Sequence, residues 1–441
     1  MEMKTSKTRP EPNEKTGPIT SFETLASLFV PLYRSQCVFH KHEILICGGH
    51  NEKDCYSYHT IKNQYKRICS YPKNTIPWGG HTVLKRIEKN DPNAITLLSF
   101  GGQFKHTLVM KYTSVWNNDQ DDEMEMEKEK RKGKPKYYKY NEWFPFMNRQ
   151  NYTGVRAVIG GNDNHLLFIT YYPKNIDVFD LNIFQYVNCS TLPIGDYIQD
   201  HCFVLKTEDA LTIPMKTNVS KKMVEMLLFC KAIGLSIEYD EDKRIFKFNP
   251  LRVCSTIRPF YSYAYACVND IVLFFGGYGG ADIGVSNTMY KYSMSENKWT
   301  QFEQTLPIPL HGCVGIFNSD HTCVHIIGGI DDKKDITAAH AKINVNSWAK
   351  EMTKKELQWI QEEGEKEEIE QIKTEIEKMV HEPQIKKLKV DFFFIVCFVC
   401  DYIASKDKQK DKSSFSCIVQ QKIEAKRHCN DNRTLDSITA I

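Results

Sequence analysis

The stretch Ile271–Trp299, IVLFFGGYGGADIGVSNTMYKYSMSENKW, decides how the chain is read. Four apolar residues, Val272 to Phe275, run unbroken into Gly276 and Gly277, as suits a strand covered on both faces. A glycine doublet there lets the backbone take positive φ and pass close under a neighbour where a Cβ would clash. A polar loop follows, then Met289 to Ser293 alternates like a half-buried strand carrying Tyr290 and Tyr292. Trp299 comes seven residues after Tyr292, a large apolar plug at the start of a further strand.

The template recurs along the chain. ILICGG (Ile44 to Gly49), LLSFGG (Leu97 to Gly102) and VHIIGG (Val324 to Gly329) repeat the strand with its doublet, Gly48 with Gly49, Gly101 with Gly102, and Gly328 with Gly329. LLFITY (Leu166 to Tyr171) and LLFCKA (Leu227 to Ala232) keep the strand but carry Thr170 with Tyr171 and Lys231 with Ala232 instead. Doublet positions at 48, 101, 170, 231, 276 and 328 are separated by 53, 69, 61, 45 and 52 residues. Intervals near about 50 residues point to propeller blades. The aromatic half keeps step: Tyr58 precedes Tyr65, Tyr239 precedes Phe246 and Tyr292 precedes Trp299, each by seven.

Over roughly residues 19–350 these residues resemble the kelch repeat, whose signature is a hydrophobic strand, a double glycine, then a Tyr and a Trp at fixed offsets. The resemblance implies an all-β fold, a six-bladed kelch-type propeller. Its closure is predicted from the two ends of the repeat region. FETLASLFVPLYRSQCVF near the start parallels FEQTLPIPLHGCVGIF at Phe302–Phe317, so Phe22–Leu28 reads as an outer strand with no blade before it. After Trp348 the chain turns helical without supplying an outer strand. The amino-terminal strand is therefore expected to complete the sixth blade and leave no open sheet edge.

Outside the repeats, residues 1–18 are charged and proline-bearing and are expected to be a disordered tail. An insertion over 117–136, acidic and then basic, reads as a disordered rim loop, and so does Lys206–Lys222. Residues 351–382 read as a charged amphipathic helix, with Gly364 limiting it on one side and Pro383 stopping it on the other. Its stripe Ile369, Ile372, Ile376 and Met379 covers about two heptads, short of the roughly three to four that mark a coiled coil. It leaves two uses open, packing on the propeller or weak self-association. Residues 383–441 are expected to be largely disordered apart from the apolar segment 392–400, too short for a membrane span of about 20 residues.

The formal charge of +3, spread rather than massed, argues against nucleic acid. Fifteen cysteines without a secretory signal favour free thiols in a reducing, cytoplasmic setting. Cys397 and Cys400 form a C-x-x-C with no second pair at zinc spacing, so neither metal nor cofactor is expected. No nucleophile elbow is present, and Gly276, Gly277, Gly279 and Gly280 lack the Lys-Ser or Lys-Thr of a phosphate loop. No enzyme is expected.

What the resemblance implies is recognition of a protein or peptide partner, cytoskeletal or in the ubiquitin pathway, by a non-catalytic scaffold. The alternatives are a copper-dependent oxidase of the galactose oxidase kind and an actin crosslinker. In kelch-like propellers the loops after the second strand and those joining blades converge on one face. Here the former offer His50, Lys105, His106, Tyr172, Lys174 and Tyr278, and the latter Tyr33, Arg34, Trp78, Tyr261, Tyr263 and His311. Aromatic and cationic side chains on loops are the types that anchor interfaces.

Overall fold

The computed structural model describes residues 22–75, 77, 80–88, 91–102, 105–116, 140–146, 151–206, 223–345 and 352–381. The expectations for residues 1–18, 117–136, 207–222 and 383–441, including the segment 392–400, fall outside them, as do Trp78 and Trp348.

Six four-stranded antiparallel sheets follow one another along the chain, and in each the strands are paired in order. Blade 1 holds Gln36–His40, Glu43–Gly49, Glu52–His59 and Gln64–Ser70. Blade 2 holds His81–Glu88, Asp91–Gly101, His106–Tyr112 and the short Phe144–Pro145. Blade 3 holds Arg156–Gly160, Leu166–Tyr171, Asn175–Asp180 and Gln185–Thr191; blade 4 holds Cys202–Leu205, Met223–Cys230, Ile233–Asp240 and Ile245–Pro250. Blade 5 holds Ala264–Val268, Ile271–Tyr278, Val285–Ser293 and Lys298–Gln301. Blade 6 supplies only three strands in sequence, Val314–Phe317, Cys323–Ile327 and His340–Asn344.

The fourth strand of blade 6 is Glu23–Thr24, paired with Lys342 and Ala341. The expected ring closure is thus present, and it extends beyond the ladder: the amides of Leu25, Leu28 and Leu32 donate to the carbonyls of His340, Ala338 and Thr337. Leu25, Leu28 and Leu32 then bury their side chains between blades 6 and 1. Beside them His325 Nδ1 and His340 Nε2 stand 2.8 Å apart, and His340 Nδ1 lies 2.5 Å from the Tyr65 hydroxyl of blade 1, a buried polar chain across the seam.

The seven-residue aromatic spacing has a simple origin. It makes Tyr58 and Tyr65, Phe179 and Tyr186, Tyr239 and Phe246, and Tyr292 and Trp299 direct cross-strand partners at the outer edges of their blades. Such pairs stabilise a sheet through side-chain contact. The apolar second strands are buried on both faces as their pattern predicts, and a hydrophobic core lies at every one of the six blade junctions. Cys202, Cys313 and Ala157, small residues in or beside the innermost strands, pack into these cores.

The doublets behave as predicted at Gly48, Gly101, Gly102, Gly276, Gly277, Gly328 and Gly329, all at positive φ; Gly49 keeps an ordinary conformation. Gly276 shows why no side chain is tolerated, since a Cβ there would lie 2.1 Å from the carbonyl oxygen of Leu310. In blade 4, Lys231 adopts the same left-handed conformation at φ 52° without being glycine.

The chain divides into a unit Met1–Gly364 and a second unit Glu365–Ile441. The helix Lys354–His381 (α1) runs through Gly364, so the expectation that this glycine limits the helix is corrected. An interior glycine costs only about 1 kcal/mol, and the start is fixed firmly. The Glu356 carboxylate accepts from the amide of Thr353, whose hydroxyl accepts from that of Glu356, a reciprocal cap. The first turns dock on the propeller: Glu363 is buried against Arg252 at 2.7 Å and the amide and hydroxyl of Ser255, and Trp359 packs on the core between blades 4 and 5.

Candidate functional site

Each blade is entered through a loop that carries one residue at positive φ just before its innermost strand. These residues are Arg34, Gly80, Gly154, Asp200, Ser262 and Gly312, with φ between 48° and 89°. They stand in a tight ring around the central axis. The amide of Arg34 donates to the carbonyl of Gly312 at 2.8 Å, and that of Gly312 to the carbonyl of Ser262 at 2.7 Å. On the other side, a Cβ on Gly80 would lie 3.5 Å from Gly154 Cα and 3.6 Å from Asp200 Oδ1.

Arg34 and Asp200 enter blades 1 and 4, three blades apart, and their side chains meet across the mouth of the channel. Arg34 Nη2 donates to Asp200 Oδ2, with the aspartate side chain 2% exposed. Non-glycine residues in this backbone region cost of order 1 kcal/mol or more, and such strain collects at functional sites. Arg34 Nε and Asp200 Oδ1 are also buried with no hydrogen-bond partner among the described residues. A buried, half-satisfied ion pair is weak evidence of a stability role.

Around this pair runs an arc of rings. Tyr33 lies 5.7 Å from His50 and 5.5 Å from His311; His311 stacks on Tyr278 at 5.0 Å; Tyr278 meets Tyr261 at 5.7 Å. Lys231 carries the arc onward, its ammonium 5.0 Å from the Tyr261 ring and 5.4 Å from that of Tyr197, which in turn meets Tyr172 at 5.6 Å. The Arg34 guanidinium sits 5.0 Å over Tyr33. Burial, with Arg34 adding to it, pushes His311 down to about 4 and lowers His50, so both imidazoles are neutral at pH 7. Burial likewise raises the phenols of Tyr33 and Tyr261.

Of the residues singled out by sequence, Tyr33, Arg34, His50, Tyr172, Tyr261, Tyr278 and His311 are gathered into this arc. Lys174 is held to its own loop, donating to the carbonyls of Ile194 and Gly195, and Lys105 is exposed. His106 and Tyr263 are interior and offer no contact surface. His106 pairs with the Ser99 hydroxyl at 2.8 Å, and Tyr263 donates to the Phe229 carbonyl from the core between blades 4 and 5. Trp78 lies outside the described residues. Sequence reasoning missed Asp200, Lys231 and Tyr197. Lys231 had a visible signal, because it occupies the place of a doublet glycine; Asp200 had none until the ring brought it opposite Arg34.

No group of three or more His, Cys, Asp or Glu that could hold a metal occurs among the described residues, and their cysteines are all unpaired. No helix among them is long and apolar enough to cross a membrane. No protein-family model matches the chain, and no curated protein matches it. Among solved structures, one titled "Structure of YjhT" is similar over 72% of this chain and 95% of its own, with 14% identity and a TM-score of 0.48. The six-bladed propeller is established here by the strand pairing itself.

Proposed function

We propose that the chain is a non-catalytic binding module that holds a protein or peptide partner on the face formed by the blade-joining loops. The observation that carries this reading is the arc from His50 to Tyr172, eight aromatic and cationic residues drawn from loops of five blades around one strained ion pair. Tyrosines give a large contact area with few rotatable bonds, and cations stacked on rings add charge-assisted donors, the combination found at interface hot spots. Residues drawn from many loops also suit an extended partner better than a small molecule in a closed pocket.

Affinity capture with the full chain and with a Tyr172→Ala, Tyr261→Ala, Tyr278→Ala variant tests this. The variant should melt within a few degrees of the parent and lose the captured partner. Hydrogen exchange of the complex should then protect the amides around Tyr33, Asp200 and Tyr261. Protection confined to the opposite hairpins, at Lys41, Phe184 or Asn297, would sink the assignment of the face.

A further inference from the structure

We infer that the partner inserts an anionic group, the carboxylate of an acidic side chain, into the channel mouth; this rests on the contact-face reading above. The charge inventory of the mouth carries it. Among the described residues Asp200 is the only carboxylate buried there, and Arg34 neutralises it. Two further cations have no carboxylate partner among the described residues. Lys231 is caged over Tyr197 and Tyr261, and Arg156, two residues into blade 3 from Gly154, donates to the carbonyl of Val155. Asp196 is exposed at the rim and accepts from the amide of its own loop neighbour Tyr197.

With the neighbouring imidazoles neutral, Arg34 and Lys231 at the mouth and Arg156 in the channel below it face one buried anion, Asp200, with Asp196 exposed at the rim. A recess lined in this way concentrates the field of one sign. Arg34 keeps an unused buried donor at Nε, and guanidinium donors pair best with carboxylates. Asp200 is a positioning residue: it pins the guanidinium over the channel.

The test uses surface plasmon resonance on the immobilised full chain, with three pools of acetylated, amidated heptapeptides that carry Glu, Gln or Lys at the centre and random residues elsewhere. The Glu pool should be retained roughly tenfold or more over the Gln pool, the discrimination expected of one charge-assisted hydrogen bond. That preference should shrink as salt is raised and in Lys231→Asn, a neutral residue tolerated at positive φ, whose melting temperature should match the parent. Equal retention of Glu and Gln pools, preference for the Lys pool, or no retention of any pool would each overturn the anionic assignment. Failure of the contact face is seen separately, as full retention by the Tyr261→Ala, Tyr278→Ala variant.

Discussion

Three of the six ring positions are glycine and three are not, although all six share one backbone conformation. At Gly312 the fold leaves no choice, because a Cβ there would fall 2.0 Å from the Tyr33 ring. At Gly80 there is room, the nearest atom being 3.5 Å away. Arg34, Asp200 and Ser262 occupy the same place with side chains and bear the strain. The fold plainly accepts glycine at this position, so what distinguishes the three substituted positions is the equipment they bring to the mouth. Arg34 and Asp200 form the pair across the axis, and Ser262 is the hydroxyl partner of Tyr33.

The comparison breaks most completely if the frame opens. Removing Met1–Leu28 takes away the outer strand of blade 6 and the leucines of the seam, and should lower the melting temperature by about 10 °C or more, whereas removing Met1–Pro18 should leave it unchanged. Equal melting of the two truncations would show that closure is not what holds the ring.

Acid attacks the same frame by a different route. Burial holds His325, at the seam, and His81 down to about 4, below the ordinary value of about 6.5. The unfolded chain therefore takes up their protons first. Stability should be complete above pH 6.5 and decline as pH falls toward 4, by about 2 kcal/mol per histidine between pH 7 and pH 5. Urea midpoints measured across that range check the slope, and His325→Gln should flatten part of it.

Within the ring, Gly312→Ala should cost about 3 kcal/mol, from clash and strain together, and Gly80→Ala about 1 kcal/mol from strain alone. Similar losses at both sites would mean that space plays no part in the choice of glycine. The smallest effect is expected where all six positions are made alike. Arg34→Gly with Asp200→Gly removes both charges and both strained side chains, and should leave stability within about 1 kcal/mol of the parent. Partner binding should be lost all the same. A large destabilisation would return the ion pair to a structural role.

Much of the fold was legible because it is written in periods. An apolar strand, a doublet or its relic, and an aromatic seven residues on fix which residues pair, since the register of an antiparallel blade follows from local spacing. The closing strand was legible too, because Phe22–Leu28 lacked a blade and the last repeat lacked a strand. The site was only half legible. Loop tyrosines could be assigned to one face, but not which of them turn inward: Tyr261 reaches the arc while Tyr263, two residues later, is buried in the core. Strand alternation would put residues two apart on one face; the left-handed turn at Ser262, φ 56°, breaks it between the two tyrosines, and packing against Phe229 and Phe274 makes Tyr263 the interior one.

The sequence alone therefore determined the number of blades, their order and the way the ring closes, all consequences of spacing along one chain. The meeting of Arg34 with Asp200, 166 residues away, was decided by the tertiary structure. Nothing near either residue specifies the other; they become neighbours because six wedges closing on one axis bring opposite blades together at the centre.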